Sequence, residues 1–427
     1  MIPSPARPAA ARALIGNAVS LVGTSAVTSG LGFAFWWVAA RQLSPEALGA
    51  GTAAVSAMTL VGTAGMLGLG TLLISELPRA GDRAPGLMAA SLGATALACA
   101  ALAGVAGAAL PWVMPGFAWI TAGPGAFLLF VLGVVLTGVT LVFDQAIIGR
   151  LRGDLQLWRN LLSAVIKIAA LLVLTRGRPD APSVYAAWLV GNLLSLGGVA
   201  WRARGMAEPL LSPSSPGTLR GLLPPALRHH TLNLALQAPS LLLPVLVASQ
   251  VTPGANAQFY LAWMIAGFLG MIPYSLSTVL PAVSGSEGEA ADNAGQVRVR
   301  QSLRWSLWGC AAGALATLLL APFLLGLFGP AYTGEAVPTL RVLALTAFPV
   351  IIKAHFTALG RLRGDLLRVS VVVALGGVLE LLGILLGARF GGLIGIALGL
   401  LAAYVLEALW MLRPVLRGAG WFWPASS

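Results

Sequence analysis

Apolar residues run through this chain in long blocks. Polar residues collect between the blocks instead of alternating with them. Each block is near the roughly 20 residues that a helix needs to cross a bilayer. Twelve such blocks predict twelve membrane-spanning helices, at about 14–39, 47–74, 86–110, 125–148, 157–175, 183–201, 226–249, 256–280, 302–328, 337–359, 367–388 and 391–412. The first block follows Arg7 and Arg12, as a signal peptide would. At 13–40 it is too long for a cleaved apolar core, so it reads as a retained first span.

Composition agrees with the pattern. Hydrophobic residues make up 58% of the chain and charged residues 9%, against about 25% charged in soluble domains. The mean hydropathy is +0.87. A net charge of +12 does not point to nucleic acid, because the arginines sit in short loops between apolar blocks, where they act as topology signals. With the N-terminus placed in the cytoplasm, nineteen arginines fall in inward loops and four (Arg41, Arg176, Arg178, Arg389) in outward ones. That bias predicts a multi-pass protein of the bacterial cytoplasmic membrane with both termini cytoplasmic. Cys99 and Cys310 lie inside apolar blocks, read as small packing residues and imply no disulfide framework.

The heptapeptide GRLRGDL occurs at 149–155 and again at 360–366, an offset of 211 (360 minus 149). The first copy joins spans four and five, the second spans ten and eleven. RQLSPEA at 41–47 is echoed by SQVTPGA at 249–255, and Arg12 and Asn17 by Arg228 and Asn233. Cys99 and Cys310 are also 211 apart. The chain is therefore a duplicated six-helix unit. The expected fold is an all-α membrane protein of two parallel six-helix bundles, related by a pseudo-two-fold axis along the membrane normal. The expected domains are 1–201, a cytoplasmic linker at 202–225 rich in proline and serine, and 226–427.

Two roles are open for GRLRGDL. Its glycines suit a tight turn, its arginines anchor at the inner leaflet, and Asp154 and Asp365 suit helix N-caps. Alternatively Arg150, Arg152, Asp154, Arg361, Arg363 and Asp365 form an inner gate, pairing between the halves when the cavity opens outward.

Charges inside spans need a reason, since each costs roughly 2.5–3.5 kcal/mol at the bilayer centre. Lys167 and Glu380 sit near mid-span in equivalent helices. They are a structural pair or two separately satisfied groups, or else a cavity cation and an ion-coupling acid. Asp144 ends span four; Lys353 and His355 end span ten, and His355 is 211 residues after Asp144. This set could carry a proton or could snorkel to the interface. Glu407 reads as paired with a neighbour. Asn17, Ser20, Thr24, Ser25, Thr28 and Ser29 give span one a polar face suited to a water-filled cleft or to helix packing. Gly391, Gly395 and Gly399 suit close packing in span twelve. Neither a Walker motif nor a metal-binding Cys/His cluster is present in the sequence, and no cofactor is expected.

The segments FDQAIIGRLRGDLQLWRNLLSAVIKIAALLVL (143–174) and NAVSLVGTSAVTSGLGFAFWWVAARQLSPEALGAGTAAVSAM (17–58) resemble the polysaccharide biosynthesis (O-antigen flippase-like) family. Its superfamily also holds the multidrug and toxin extruders and the lipid II flippases. The resemblance implies a non-enzymatic flippase that moves a polyprenyl-diphosphate-linked oligosaccharide across the membrane. Its expected partners are that lipid-linked sugar, membrane lipids, and glycosyltransferases or a polymerase, with no nucleic acid. In this reading Lys167, Lys353 and Arg41 hold the diphosphate, and Asn17, Asn233, Thr24 and Thr28 meet sugar hydroxyls. Glu380, Asp144 and His355 couple the ion. The alternative is a drug/cation antiporter of the same superfamily, against which the mid-span lysine counts. A membrane polysaccharide polymerase or ligase is a further possibility, but the longest outward loop, 111–124, carries no charge. A scaffold would not need buried charges at all.

Overall fold

A computed structural model describes residues 30–205, 209–214, 217–284 and 293–421, and every regular element in them is helical. Helix α1 covers 30–42. It is followed by α2 (Pro45–Ala64), α3 (Leu69–Ala80), α4 (Ala84–Val113), α5 (Pro124–Gly149), α6 (Gly153–Gly177) and α7 (Ala181–Ala203). The second half holds α8 (Leu223–Gln250), α9 (Pro253–Ser284), α10 (Asn293–Gly326), α11 (Ala336–Leu345), α12 (Ala347–Leu362) and α13 (Leu366–Gly418). Among the described residues, nine helical stretches are long and apolar enough to cross a bilayer. Counting α13 as two arms and adding α1 and α8 restores the twelve expected spans.

Span two is broken. Its helix stops at Ala64, and the chain passes through left-handed backbone at Leu67 and Gly68 before α3. At Gly68 a Cβ would lie 2.2 Å from the Ala226 carbonyl oxygen, so a side chain there would separate α3 from α8. Spans eleven and twelve are the two arms of α13, turned at Gly391 and Gly392. The arms touch backbone to backbone. Cβ atoms on Gly387 and Gly399 would lie 2.0 Å from the carbonyl oxygens of Gly395 and Gly383. Gly395 and Gly399 therefore pack helices as expected, while Gly391 lies in the turn itself.

The duplication is visible in local chemistry. Ser44 caps α2, its hydroxyl accepting from the Ala47 amide at 3.2 Å with Pro45 as the first helical residue. Thr252 does the same for α9, accepting from the Ala255 amide at 3.3 Å ahead of Pro253. The Cys99 thiol points at the Gly62 carbonyl (3.6 Å) and the Cys310 thiol at that of Leu269 (3.8 Å). Each bridges the third helix of its half to the second.

GRLRGDL departs from its twin. The first copy turns at Leu151 (φ 57°), the second at Gly364 (φ 71°). Asp154 is not an N-cap: Arg152 holds that position and Asp154 lies inside the first turn of α6. Asp365 is at the N-cap of α13 but makes no side-chain capping bond. The same seven residues therefore close two different turns.

The apolar core is divided unevenly. Near the loops that join α5 to α6 and α12 to α13 there are two separate cores, one around Leu73, Ile147 and Leu155 that also takes in Ala226 of α8, the other around Leu303, Val369 and Val415. At the opposite end a single core takes Phe35, Leu48, Phe130 and Tyr185 from one half and Leu243, Phe259, Phe328 and Leu400 from the other. The largest shared core thus lies at the end away from the GRLRGDL loops, while at the loop end the start of α8 packs on α3 through Ala226.

Candidate ion-coupling site

The C-terminal half buries three ionisable side chains in one place. Lys353 projects from α12, Glu380 from the first arm of α13 and Glu407 from the second. The Lys353 ammonium lies 2.5 Å from Glu380 Oε1 and 2.8 Å from Glu407 Oε2. Lys353, Glu380 and Glu407 are 8%, 2% and 1% exposed. The ammonium also stands 5.1 Å from the centre of the Tyr404 ring. Gly376 makes room: a Cβ there would lie 2.5 Å from the Glu407 carboxyl carbon. Glu380 accepts a hydrogen bond from Lys353. Glu407 is at ion-pair distance, yet neither of its oxygens has a hydrogen-bond partner.

The N-terminal half has a different cluster, nearer the GRLRGDL loop. Arg159 donates from Nε and Nη2 to the two carboxylate oxygens of Asp144, at 2.6 and 2.5 Å. This planar two-point pair is the geometry at which arginine excels. Asn160 and Ser195 extend it. Arg159 falls in an inward loop on the sequence pattern; here it is 4% exposed, inside α6. Farther along α6, the Lys167 ammonium sits 3.8 Å above the Trp188 ring.

These contacts rearrange the expected roles. Glu380 is partnered by Lys353, and Lys167 by an aromatic ring, so the Lys167–Glu380 pair is replaced by two separate contacts. Lys353 is held by two carboxylates and is not a spare cation for a diphosphate. Asp144, Lys353 and His355 do not form one relay. His355, fully buried, donates from Nδ1 to the Ile351 carbonyl and accepts the Ser302 hydroxyl at Nε2, 2.8 Å each. The carbonyl can only accept, which sets this tautomer.

Arg41 is also committed. Its Nη2 and Nε donate to the Leu327 carbonyl at 2.9 and 3.2 Å, and the Trp37 indole donates to the same oxygen at 2.8 Å. This clamps α1 to the end of α10 across the halves. Beside it, Asn256 donates to the Gly49 carbonyl (2.9 Å) and to Thr52 Oγ1 (3.2 Å). Gly49 itself rides on Pro253. In the GRLRGDL loops the acids are engaged within their own loops: Arg152 meets Asp154 at 3.2 Å, and Arg368 approaches Asp365 at 3.9 Å. Arg150 donates to the Pro209 carbonyl. Arg361 and Arg363 are exposed. Asn17, Thr24, Thr28 and the side chain of Asn233 lie outside the described residues.

Sequence reasoning missed Glu407, Arg159 and Trp188 as members of these clusters. Glu407 carried a usable signal, since it is an acid well inside an apolar block. Trp188 carried none, because a tryptophan in a span is ordinary.

The structure is thus a set of membrane-length helices in two like halves that share their largest core at one end and bury ionisable side chains. No family model and no curated protein matches the sequence. Solved structures do match the fold. The inward-facing conformation of a multidrug resistance MATE family transporter of the MOP superfamily aligns with TM-score 0.67 at 18% identity, covering 92% of this chain and 95% of that one. An outward-facing structure described in the same words aligns at 0.58 with 17% identity, covering 92% and 93%. A MOP superfamily transporter from Pyrococcus furiosus, described as having a binding pocket of reverse polarity, aligns at 0.56 with 16% identity, covering 94% and 96%.

Proposed function

We propose that this protein is an ion-coupled secondary transporter that exports an organic cation or a drug-like amphiphile. The buried Lys353–Glu380–Glu407 cluster carries the reading. One ammonium cannot balance two carboxylates, and surplus negative charge in an apolar interior has to be met by a proton, an inorganic cation or a cationic substrate. Exchange of one of these for another is the chemistry of an antiporter. The multidrug resistance description of the solved structures points the same way. In this reading the GRLRGDL loops face the cytoplasm, as the arginine bias predicts, and the shared core closes the outer side. Ethidium efflux from proteoliposomes tests it. Wild-type protein should move ethidium against its gradient, and Glu380→Gln should lose at least tenfold. Equal efflux from both would remove the cluster from the mechanism.

A second reading, a flippase for a polyprenyl-diphosphate-linked oligosaccharide serving cell-surface polysaccharide assembly, is favoured by Lys167. Its ammonium lies on an aromatic ring, and among the described residues it makes no ion pair. A diphosphate would suit such a cation. Translocation of a fluorescent lipid-linked sugar in vesicles, lost in Lys167→Ala and partly kept in Lys167→Arg, would favour this substrate over ethidium.

A further inference from the structure

Two carboxylates that converge from separate helix arms in an apolar interior offer a hard cation the oxygen ligands it prefers. In this protein the point between them is already taken. The Lys353 ammonium lies within 2.8 Å of both acids and is tethered to α12. A tethered ammonium has paid its translational entropy in folding, so it competes with a free ion at high effective concentration. Glu407 supplies the second observation. It is 1% exposed and neither of its oxygens has a hydrogen-bond partner. A non-directional cation placed between the arms would meet the oxygens of both carboxylates at once. The other ionisable groups in electrostatic reach are Tyr404 from α13 and Tyr274 from α9, with Arg361 acting on Tyr274 from the end of α12.

We propose that Lys353 is a built-in counter-ion that excludes sodium from the Glu380–Glu407 pair, making the transporter sodium-independent, and that removing its charge turns the pair into a sodium site. The proposal rests on the transporter reading only for its transport arm. The same three residues thereby set which ion the protein can use. A positively charged side chain at 353 leaves a single surplus negative charge, too little to strip an alkali-metal ion of its water in a cavity already filled. A neutral side chain leaves two carboxylates and a vacated space.

Thermal unfolding of purified protein in sodium chloride and in choline chloride, at equal ionic strength, is the first test. The wild-type protein should melt at the same temperature in both. Lys353→Met should melt at least about 2 °C higher in sodium than in choline, as a ligand that binds only the folded state stabilises it. The double variant Lys353→Met/Glu407→Gln should lose that difference. A sodium-specific rise in wild type overturns the proposal, and so does a folded Lys353→Met that ignores sodium. If Lys353→Met cannot be purified, Glu407→Gln decides together with wild type: one ammonium then faces one carboxylate, and a sodium-specific rise in it overturns the proposal. In proteoliposomes, ethidium export by wild type should follow an imposed pH gradient and change less than twofold with a sodium gradient at constant pH. Export driven by sodium alone overturns the proposal. No export under either gradient defeats the exporter reading instead, and leaves the thermal comparison to judge Lys353.

Discussion

The two halves share a scaffold and not a charge pattern. At the 211-residue offset, Lys353, Glu380 and Glu407 correspond to Val142, Ala169 and Leu196. In return, Asp144 and Arg159 correspond to His355 and Ser370. Lys167 and Trp188 correspond to Val378 and Gly399. Yet the Ser44 and Thr252 caps and the Cys99 and Cys310 contacts have stayed alike. Contacts that set helix direction were kept after duplication, while the buried charges went separate ways. Among the described buried groups, only the C-terminal half sets two carboxyl groups against one ammonium; in the Asp144–Arg159 pair the groups are matched one to one. This asymmetry gives an otherwise repeated molecule two different buried charge clusters, one in each half.

The comparison is broken hardest at Lys353. Lys353→Ala strands two buried carboxylates and should cost about 3–5 kcal/mol of stability, with export abolished. Val142→Ala, its counterpart, should leave export intact. Melting curves and efflux on the pair check this. Arg159→Ala strands Asp144 and should cost about 3 kcal/mol, whereas Ser370→Ala should cost under about 1.5 kcal/mol. If Arg159→Ala also spared stability, the N-terminal pair would be a surface feature after all.

Smaller effects sharpen the contrast at the core that the halves share. A Cβ at Gly49 would fall 1.6 Å from the Pro253 carbonyl oxygen. Gly49→Ala should destabilise this closure by about 1–3 kcal/mol, and distances between spin labels on α2 and α9 should lengthen. Arg41→Ala removes half of the clamp on Leu327 and should act in the same direction by about 1 kcal/mol. Smallest are the caps. Ser44→Ala and Thr252→Ala should each cost about 1 kcal/mol, and their near equality would mark the repeat. A twofold disparity in chemical denaturation would show that the halves have diverged in scaffold too.

Much of this architecture follows from the chain alone. Long apolar blocks have to become helices in lipid, where backbone groups find no water. Ser44-Pro45 and Thr252-Pro253 announce helix starts because a hydroxyl acceptor followed by proline suits those two positions and few others. Which charges meet was decided by tertiary structure. Glu380 and Glu407 lie on opposite arms of a hairpin, 27 residues apart (407 minus 380), and their approach to Lys353 depends on the turn at Gly391–Gly392 and on glycine contacts that set the spacing of its arms. Depth along a helix can be counted from sequence, and on depth Lys167 suited Glu380. Azimuth around the helix and the identity of the neighbouring helix cannot be counted that way, and they chose Lys353. GRLRGDL makes the same point at short range. Seven identical residues turn at Leu151 in one half and at Gly364 in the other, because a short loop yields to the helices it must join.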